Sequence, residues 1–208
     1  MTSVVSIHDD TIRDAAALIR RGGLVAYPTD TVYGLGCDPF NAEAVERLVK
    51  SKGRNKGALP VLVESIDLAR QFGSFSVLAI HLAEKFWPGP FTVVVPLKAS
   101  FPTDVTGDSN TIGLRIPNHA VASKLIKNCG GAIIGTSANL TGKPSSKTAD
   151  DVMKHLKGRI DLIIDGGPVL SGKESTVAEV IGDRMSVLRE GAIPRGEILK
   201  AIQTFATH

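Results

Sequence analysis

One stretch limits the fold more than any other. Gly22-Gly23 leads into Leu24-Val25-Ala26-Tyr27, and Pro28-Thr29-Asp30-Thr31-Val32-Tyr33-Gly34-Leu35-Gly36-Cys37 follows at once. Residues 24–27 predict a short buried strand; Pro28 fixes its own φ and turns Tyr27 away from helix. Gly34 and Gly36 permit close approaches that a Cβ would block. Thr29, Asp30, Thr31 and Tyr33 are therefore presented from a constrained turn. Binding sites look like this, and so do ordinary polar exits from strands, so the rest of the chain decides between them.

Short apolar strands alternate with amphipathic helices along the chain, which predicts an α/β class. Asp10 or Thr11 is expected to cap a helix carrying Ile12, Ala15, Ala16, Leu18 and Ile19, ending near Gly22-Gly23. Asn41 caps a second helix over residues 42–49. A strand follows at 59–63, then helices at 66–71 and 76–86, the latter stopped by Trp87-Pro88-Gly89-Pro90. Residues 91–97 and 111–116 read as strands, 120–128 as a helix and 132–134 as a buried strand. Thr148 with Asp151 caps another helix, 160–165 is a strand, 177–181 and 185–189 form a hairpin about Gly182-Asp183, and 197–205 is a closing helix.

With 208 residues, 43% hydrophobic and 22% charged, the chain supports one core, and a single domain over 1–208 is expected. No basic start precedes an apolar run, and no apolar segment reaches membrane-spanning length, so a cytoplasmic protein without a membrane partner is expected. Cys37 and Cys129 are too few and too far apart for a disulfide framework or a zinc site and read as buried thiols. A net charge of +3 does not by itself argue for nucleic acid.

The placement of charge says more. Lys50, Lys52, Arg54 and Lys56 fall at every second position, and an extended segment would put all four on one side, where they would either gather an anion or lie solvated. In the strand at 111–116, Thr111, Gly113 and Arg115 face one way and Ile112, Leu114 and Ile116 the other. An arginine among small neighbours suits a carboxylate or phosphate, with a surface salt bridge as the plainer reading. Gly135-Thr136-Ser137-Ala138-Asn139 is a second hydroxyl-rich strand exit, and Gly166 to Thr176 holds a third. Exits of this kind can line one crevice of an open sheet.

The third loop nearly spells a phosphate-binding P-loop from Gly167 to Lys173, but Glu174 stands where Ser or Thr is needed, Pro168 removes an N–H, and a strand rather than a helix follows. Nucleophile elbows, metal-spaced histidine pairs and dinucleotide fingerprints are missing from the sequence, and His8, His81, His119, His155 and His208 are scattered. Cations and hydroxyls without an evident nucleophile suit a reaction whose substrates bring their own and whose protein positions phosphate.

Eight motifs occur in the order found in the YrdC-like threonylcarbamoyl-AMP synthase family, over residues 8–200. They are Pro28-Thr29-Asp30-Thr31-Val32-Tyr33-Gly34-Leu35, Lys52-Gly53-Arg54, Phe86-Trp87-Pro88-Gly89-Pro90, Thr111-Ile112-Gly113-Leu114-Arg115-Ile116-Pro117, Thr136-Ser137-Ala138-Asn139, Gly142-Lys143-Pro144-Ser145, Ser175-Thr176-Val177 and Leu188-Arg189-Glu190-Gly191. The chain resembles the single-domain form of that family; longer members append a second domain. The resemblance implies a single twisted open mixed sheet flanked by helices, with a basic concave crevice. It also implies synthesis of threonylcarbamoyl-AMP and pyrophosphate from ATP, bicarbonate and L-threonine, a nucleotidyl transfer that feeds downstream threonylcarbamoyl transferase proteins and the t6A37 modification of tRNA.

Carried over by position, Thr31, Arg115 and Ser175 hold threonine, with backbone contacts from Gly135, and Arg115 receives the carboxylate. Lys52, Arg54, Thr111, Ser137, Asn139, Ser145 and Arg189 hold ATP, Lys52 and Arg54 also being catalytic. Lys56 joins them because it continues the cationic row. Mg2+ is expected with ATP, and Asp30 could orient a water on it. Many relatives have Asn-Pro-Leu and a histidine where this chain reads Gly57-Ala58-Leu59-Pro60-Val61-Leu62-Val63, which leaves that wall without those two contacts. Two alternatives remain: an RNA-binding module of the same fold using residues 50–56 on RNA or tRNA phosphates, and a related carbamoyl transferase.

Overall fold

A computed structural model describes residues 1–53 and 57–205. The first half carries β1 (Ser3–Ser6), α1 (Asp9–Arg20), β2 (Val25–Tyr27), β3 (Gly34–Gly36), α2 (Ala42–Ser51), β4 (Val61–Val63), α3 (Ile66–Phe72), α4 (Val77–Phe86), β5 (Phe91–Pro96) and α5 (Thr103–Thr106). The second carries β6 (Thr111–Arg115), α6 (Ala120–Asn128), β7 (Ala132–Ile134), β8 (Thr136–Ser137), α7 (Ala149–Leu156), β9 (Leu162–Asp165), β10 (Thr176–Ile181), β11 (Arg184–Arg189) and α8 (Arg195–Phe205).

Local chemistry accounts for most boundaries. The side chains of Asn41, Ser65, Ser76 and Thr148 accept from the backbone N–H three residues on and so start α2, α3, α4 and α7. α1 begins earlier than the expected Asp10 or Thr11 cap, and the Thr11 hydroxyl instead accepts from the N–H of His8 at 2.9 Å. Among the described residues no helix is long and apolar enough to cross a membrane.

The α/β class holds, but the expected single sheet is two. One is ordered β1-β9-β2-β3-β8 and the other β11-β10-β5-β6-β4-β7, each mixing parallel and antiparallel neighbours. β7 pairs with β4 while β8 pairs with β3, so a single residue, Gly135, carries the chain from one sheet to the other. A Cβ there would lie 2.3 Å from Cγ of Leu62, a step only glycine can make without displacing that side chain. Just before it, the Ile134 N–H donates to the Cys37 carbonyl at 3.0 Å and ties the sheets together.

Strands near this seam are buried on both faces, as their unbroken apolar runs require. Alternate residues serve two cores. Leu24, Ala26, Val61, Val63 and Ile134 join the larger, and Val25, Tyr27, Leu62 and Ile133 join a smaller one beneath α1 and α6. Alanines 15, 16 and 122 bring those two helices close.

The one-sided cationic row is corrected for its described half. α2 runs through Ser51, so Lys50 lies on a helix, where residues two apart point about 200° away from each other. Lys50 pairs with Glu46 at 2.6 Å, while Lys52, in helical backbone at the C-cap, is 4% exposed and turned inward. Arg54 and Lys56 lie outside the described residues.

Candidate functional site

A cavity of about 480 Å³ opens where the sheets meet. The turn after β2 supplies Thr29 and Thr31, β5 supplies Thr92, and β6 supplies Thr111, Gly113 and Arg115. Gly135 and Ser137 come from the seam, Glu174 and Ser175 from the loop before β10, and Arg189 from the end of β11. The alternation read from residues 111–116 is the one observed: Thr111, Gly113 and Arg115 face the cavity, and Ile112 and Leu114 face the core.

At one end the hydrogen bonds fix which groups remain for a ligand. Thr29 Oγ1 accepts from the Thr31 N–H at 3.1 Å and donates to the Val32 carbonyl at 2.6 Å. Its single proton is thereby used, so in the 2.9 Å contact between the two hydroxyls Thr31 is the donor. Thr31 Oγ1 in turn accepts from Nη1 of Arg115 at 3.1 Å and keeps one lone pair. Arg115 also donates from Nε to the Gly89 carbonyl at 2.9 Å and from Nη2 to Asp30 Oδ1 at 2.5 Å. Three of its five N–H groups hold it in place, and two are left for an incoming oxyanion. Burial lowers the Arg115 pKa, and the Asp30 carboxylate opposes that shift.

The other end is built around Ser175. Its hydroxyl lies 2.8 Å from that of Thr92, and Arg189 donates from Nη2 to the Ser175 carbonyl at 2.9 Å. Nη1 of Arg189 meets Glu174 Oε2 at 2.5 Å, while the Ser145 hydroxyl donates to Glu174 Oε1 at 2.7 Å. Gly191 makes this packing possible, because a Cβ on it would lie 2.3 Å from the Glu174 carbonyl oxygen.

Seven of the residues singled out in the sequence, Thr31, Thr111, Arg115, Gly135, Ser137, Ser175 and Arg189, line this one cavity. Three others stand behind it. Lys52 donates its amine to the carbonyls of Ser137 and, at 3.0 Å, Asn139. The Asn139 amide donates to the carbonyls of Leu140 and Lys143, closing the turn that carries Ser137. Ser145 reaches the site through Glu174. Asp30 pairs with Arg115 through Oδ1, and its Oδ2 is buried without a hydrogen-bond partner.

Sequence reasoning passed over Thr92 and the counter-ion role of Glu174. The signal for Thr92 was a lone hydroxyl beside β-branched apolar residues in β5. Glu174 adjoins Ser175, and in the sequence it stands out only as a break in a P-loop pattern. The two described arginines on the wall are each matched by a carboxylate, so the described wall does not by itself carry the excess positive charge expected of the crevice. The segment from Ala58 to Leu62 contributes an apolar wall through Ala58, Leu59, Pro60 and Leu62.

Among the described residues no group of three or more His, Cys, Asp or Glu could hold a metal. Two carboxylates, Glu174 and Glu179, line the cavity. That donor set makes no resident metal site; it suits a magnesium ion arriving on a triphosphate, which keeps most of its waters and needs one or two carboxylates at most.

Residues 17–191 match the profile of the Sua5_yciO_yrdC family, described as telomere recombination. The threonylcarbamoyl-AMP synthase of Pyrococcus abyssi is 38% identical over 219 residues, covering 100% of this chain and 63% of that protein. The Bacillus subtilis threonylcarbamoyl-AMP synthase is 39% identical over 202 residues, covering 95% of this chain and 58% of its own. The chain thus spans less than two thirds of the length of these curated relatives. The crystal structure of P. abyssi Sua5 complexed with L-threonine superposes with a TM-score of 0.92 at 39% identity, over 97% of this chain and 61% of that one. E. coli YciO gives 0.82 at 26% identity, over 92% and 95%.

Proposed function

The chain belongs to the Sua5_yciO_yrdC family, and on that premise we propose that it is an L-threonylcarbamoyladenylate synthase, a nucleotidyltransferase acting on ATP, bicarbonate and L-threonine. One observation carries the reading: a single cavity holds two described arginines in different settings, Arg115 with Thr31 and Arg189 with Ser175. The P. abyssi relative solved with L-threonine supports threonine as the amino acid.

In this reading the threonine carboxylate takes the two remaining N–H groups of Arg115. The free lone pair of Thr31 accepts from the amine, and Ser175 and the Gly135 backbone complete the contact. The neutral amine attacks bicarbonate, water leaves, and a carbamate forms. A carbamate oxygen then attacks the α-phosphorus of ATP in line, the bond to the bridging oxygen breaks, and pyrophosphate departs. Arg189, Thr111, Ser137 and Ser145 hold the phosphates, and Lys52 and Asn139 act by fixing the turn that presents Ser137. Arg54 and Lys56 complete the expected ATP-binding set. A fixed donor aimed at developing phosphate charge is worth about a hundredfold to a thousandfold in rate.

Glu179 is the wall carboxylate that would hold a water of a magnesium ion carried on the triphosphate, and such an ion would supply charge neutralisation there. The product passes to threonylcarbamoyl transferase proteins of the cytoplasm that modify tRNA. The RNA-binding alternative drew on a one-sided row at residues 50–56; with Lys50 on α2 and Lys52 turned inward, the described half of that row does not support it. The test is to incubate the purified protein with ATP, bicarbonate and L-threonine and look for a threonine-dependent adenylate by mass spectrometry. If no such species forms, the reading is lost.

A further inference from the structure

Both described arginines of the cavity wall already have a carboxylate, and the two pairs are built differently. Arg115 and Asp30 have side chains 7% and 14% exposed, and Arg115 is also held by Gly89 and Thr31. Separating this pair would leave a charge in a water-poor setting, so an arriving anion cannot displace Asp30 cheaply. Arg189 and Glu174 are 48% and 32% exposed. Water can replace either partner there, and exposed pairs of this kind contribute little.

The Glu174 carboxylate also occupies a telling position. One oxygen accepts from the Ser145 hydroxyl and the other meets the Arg189 guanidinium, at 2.7 and 2.5 Å. A hydroxyl and a guanidinium gripping two oxygens of one group form an oxyanion subsite, and the chain fills it with its own side chain.

We infer that the cavity sorts two anions by these internal carboxylates: Glu174 is an exchangeable stand-in that a polyphosphate displaces from Arg189 and Ser145, while Asp30 is a fixed counter-ion that leaves Arg115 fit for one carboxylate only. With Asp30 in place the Arg115 end is close to neutral. A zwitterionic amino acid is accepted there, and a polyanion would face the Asp30 charge. At the Arg189 end the departing Glu174 is re-solvated and its place is taken by a more highly charged group. The identities of the two anions rest on the synthase reading; the sorting itself rests on the two ion pairs.

The experiment is calorimetric titration of the whole chain with inorganic pyrophosphate and with L-threonine, without added divalent cation, for wild type, Glu174→Gln and Asp30→Asn. Removing the Glu174 charge frees Arg189 and should tighten pyrophosphate about two- to fivefold, the scale of an exposed ion pair, while leaving threonine unchanged. In Asp30→Asn, which keeps an oxygen facing Arg115, pyrophosphate should become a competitor of threonine, raising its apparent Kd in a way not seen in wild type. Pyrophosphate binding that is absent, unchanged or weaker in Glu174→Gln overturns the stand-in role, and Glu174→Ala repeats that arm. Competition that is equal in wild type and Asp30→Asn overturns the fixed counter-ion. If Asp30→Asn does not fold, the wild-type chain decides that arm: pyrophosphate that competes with threonine there overturns the fixed counter-ion, and its absence supports it. Neither arm requires product, so a chain showing both shifts but forming no adenylate refutes the synthase reading and leaves the sorting intact.

Discussion

Asp30 and Arg115 meet at 2.5 Å at the cavity wall, where the arginine is buried and the carboxylate is 14% exposed. The carboxylate comes from the turn after β2, in the first sheet, and the guanidinium from the end of β6, in the second. Their contact therefore fastens the two sheets at the point where the site opens. It also aims the arginine, because Nη2 is spent on Asp30 while Nε and Nη1 are spent on Gly89 and Thr31.

Arg115→Ala should destabilise the fold by about 3 kcal/mol, since it leaves Asp30 buried without its partner. The double variant with Asp30→Asn should recover a large part of that loss. Urea denaturation of both variants measures this, and equal stabilities would contradict the account. In turnover, Arg115→Lys keeps the charge but not the fork, and it should raise the threonine requirement at least tenfold with little change for ATP.

Gly191→Ala should harm the site more than any other single methyl added near it. Its Cβ would fall 2.3 Å from the Glu174 carbonyl oxygen and 2.6 Å from the Ser175 carbonyl carbon, and backbone cannot yield as a side chain can. A cost of about 1–3 kcal/mol is expected, together with loss of adenylate formation. Gly196→Ala, in α8 with open space at its Cβ, should instead raise stability by about 0.5 kcal/mol. Thermal melts paired with product assays separate the two.

His119 gives the fold a pH dependence of definite sign. Burial lowers its pKa from 6.5, and the nearby Asp30 charge opposes this only in part. As the pH falls below 6.5 the unfolded chain takes up its proton first, so stability declines until the folded histidine also protonates. Above 6.5 the group contributes nothing. His119→Gln should lack this component, and unfolding free energies of wild type and variant, compared between neutral and mildly acidic pH, should diverge only on the acid side.

Much of the site can be read from the chain because it obeys local rules. The alternation through β6 needs only a strand period, and Asn41, Ser65, Ser76 and Thr148 announce their helices by hydrogen-bonding chemistry. What escapes such reading is decided between distant segments. β8 has only two residues and exists because β3 lies alongside it, and the division into two sheets turns on how closely Gly135 passes Leu62. Lys50 and Lys52 alternate in sequence, yet α2 extends far enough to separate them. The roles of Asp30 and Glu174 as counter-ions depend on arginines 85 and 15 positions away (115 − 30 and 189 − 174).

Cys37 is buried as expected, whereas Cys129 is only half-buried, yet both should behave as poorly reactive thiols in the native protein. Burial pushes Cys129 up to about 12 and Cys37 higher still, so little thiolate exists at pH 8. Iodoacetamide should leave Cys37 unmodified and label Cys129 only slowly in the folded chain, and alkylate both in denaturant, as read by intact mass. Rapid native labelling of Cys37 would contradict its placement.

The central claim is that one cavity joins an amino acid, a carbonate carbon and a nucleotide. Supplying the purified chain with ATP, L-threonine and ¹³C-bicarbonate and following the adenylate by mass spectrometry tests it most directly. The account predicts a nucleotide product that carries both threonine and the label and disappears when threonine is omitted. A nucleotide product without the label, or no product while threonine and ATP both bind, would contradict it.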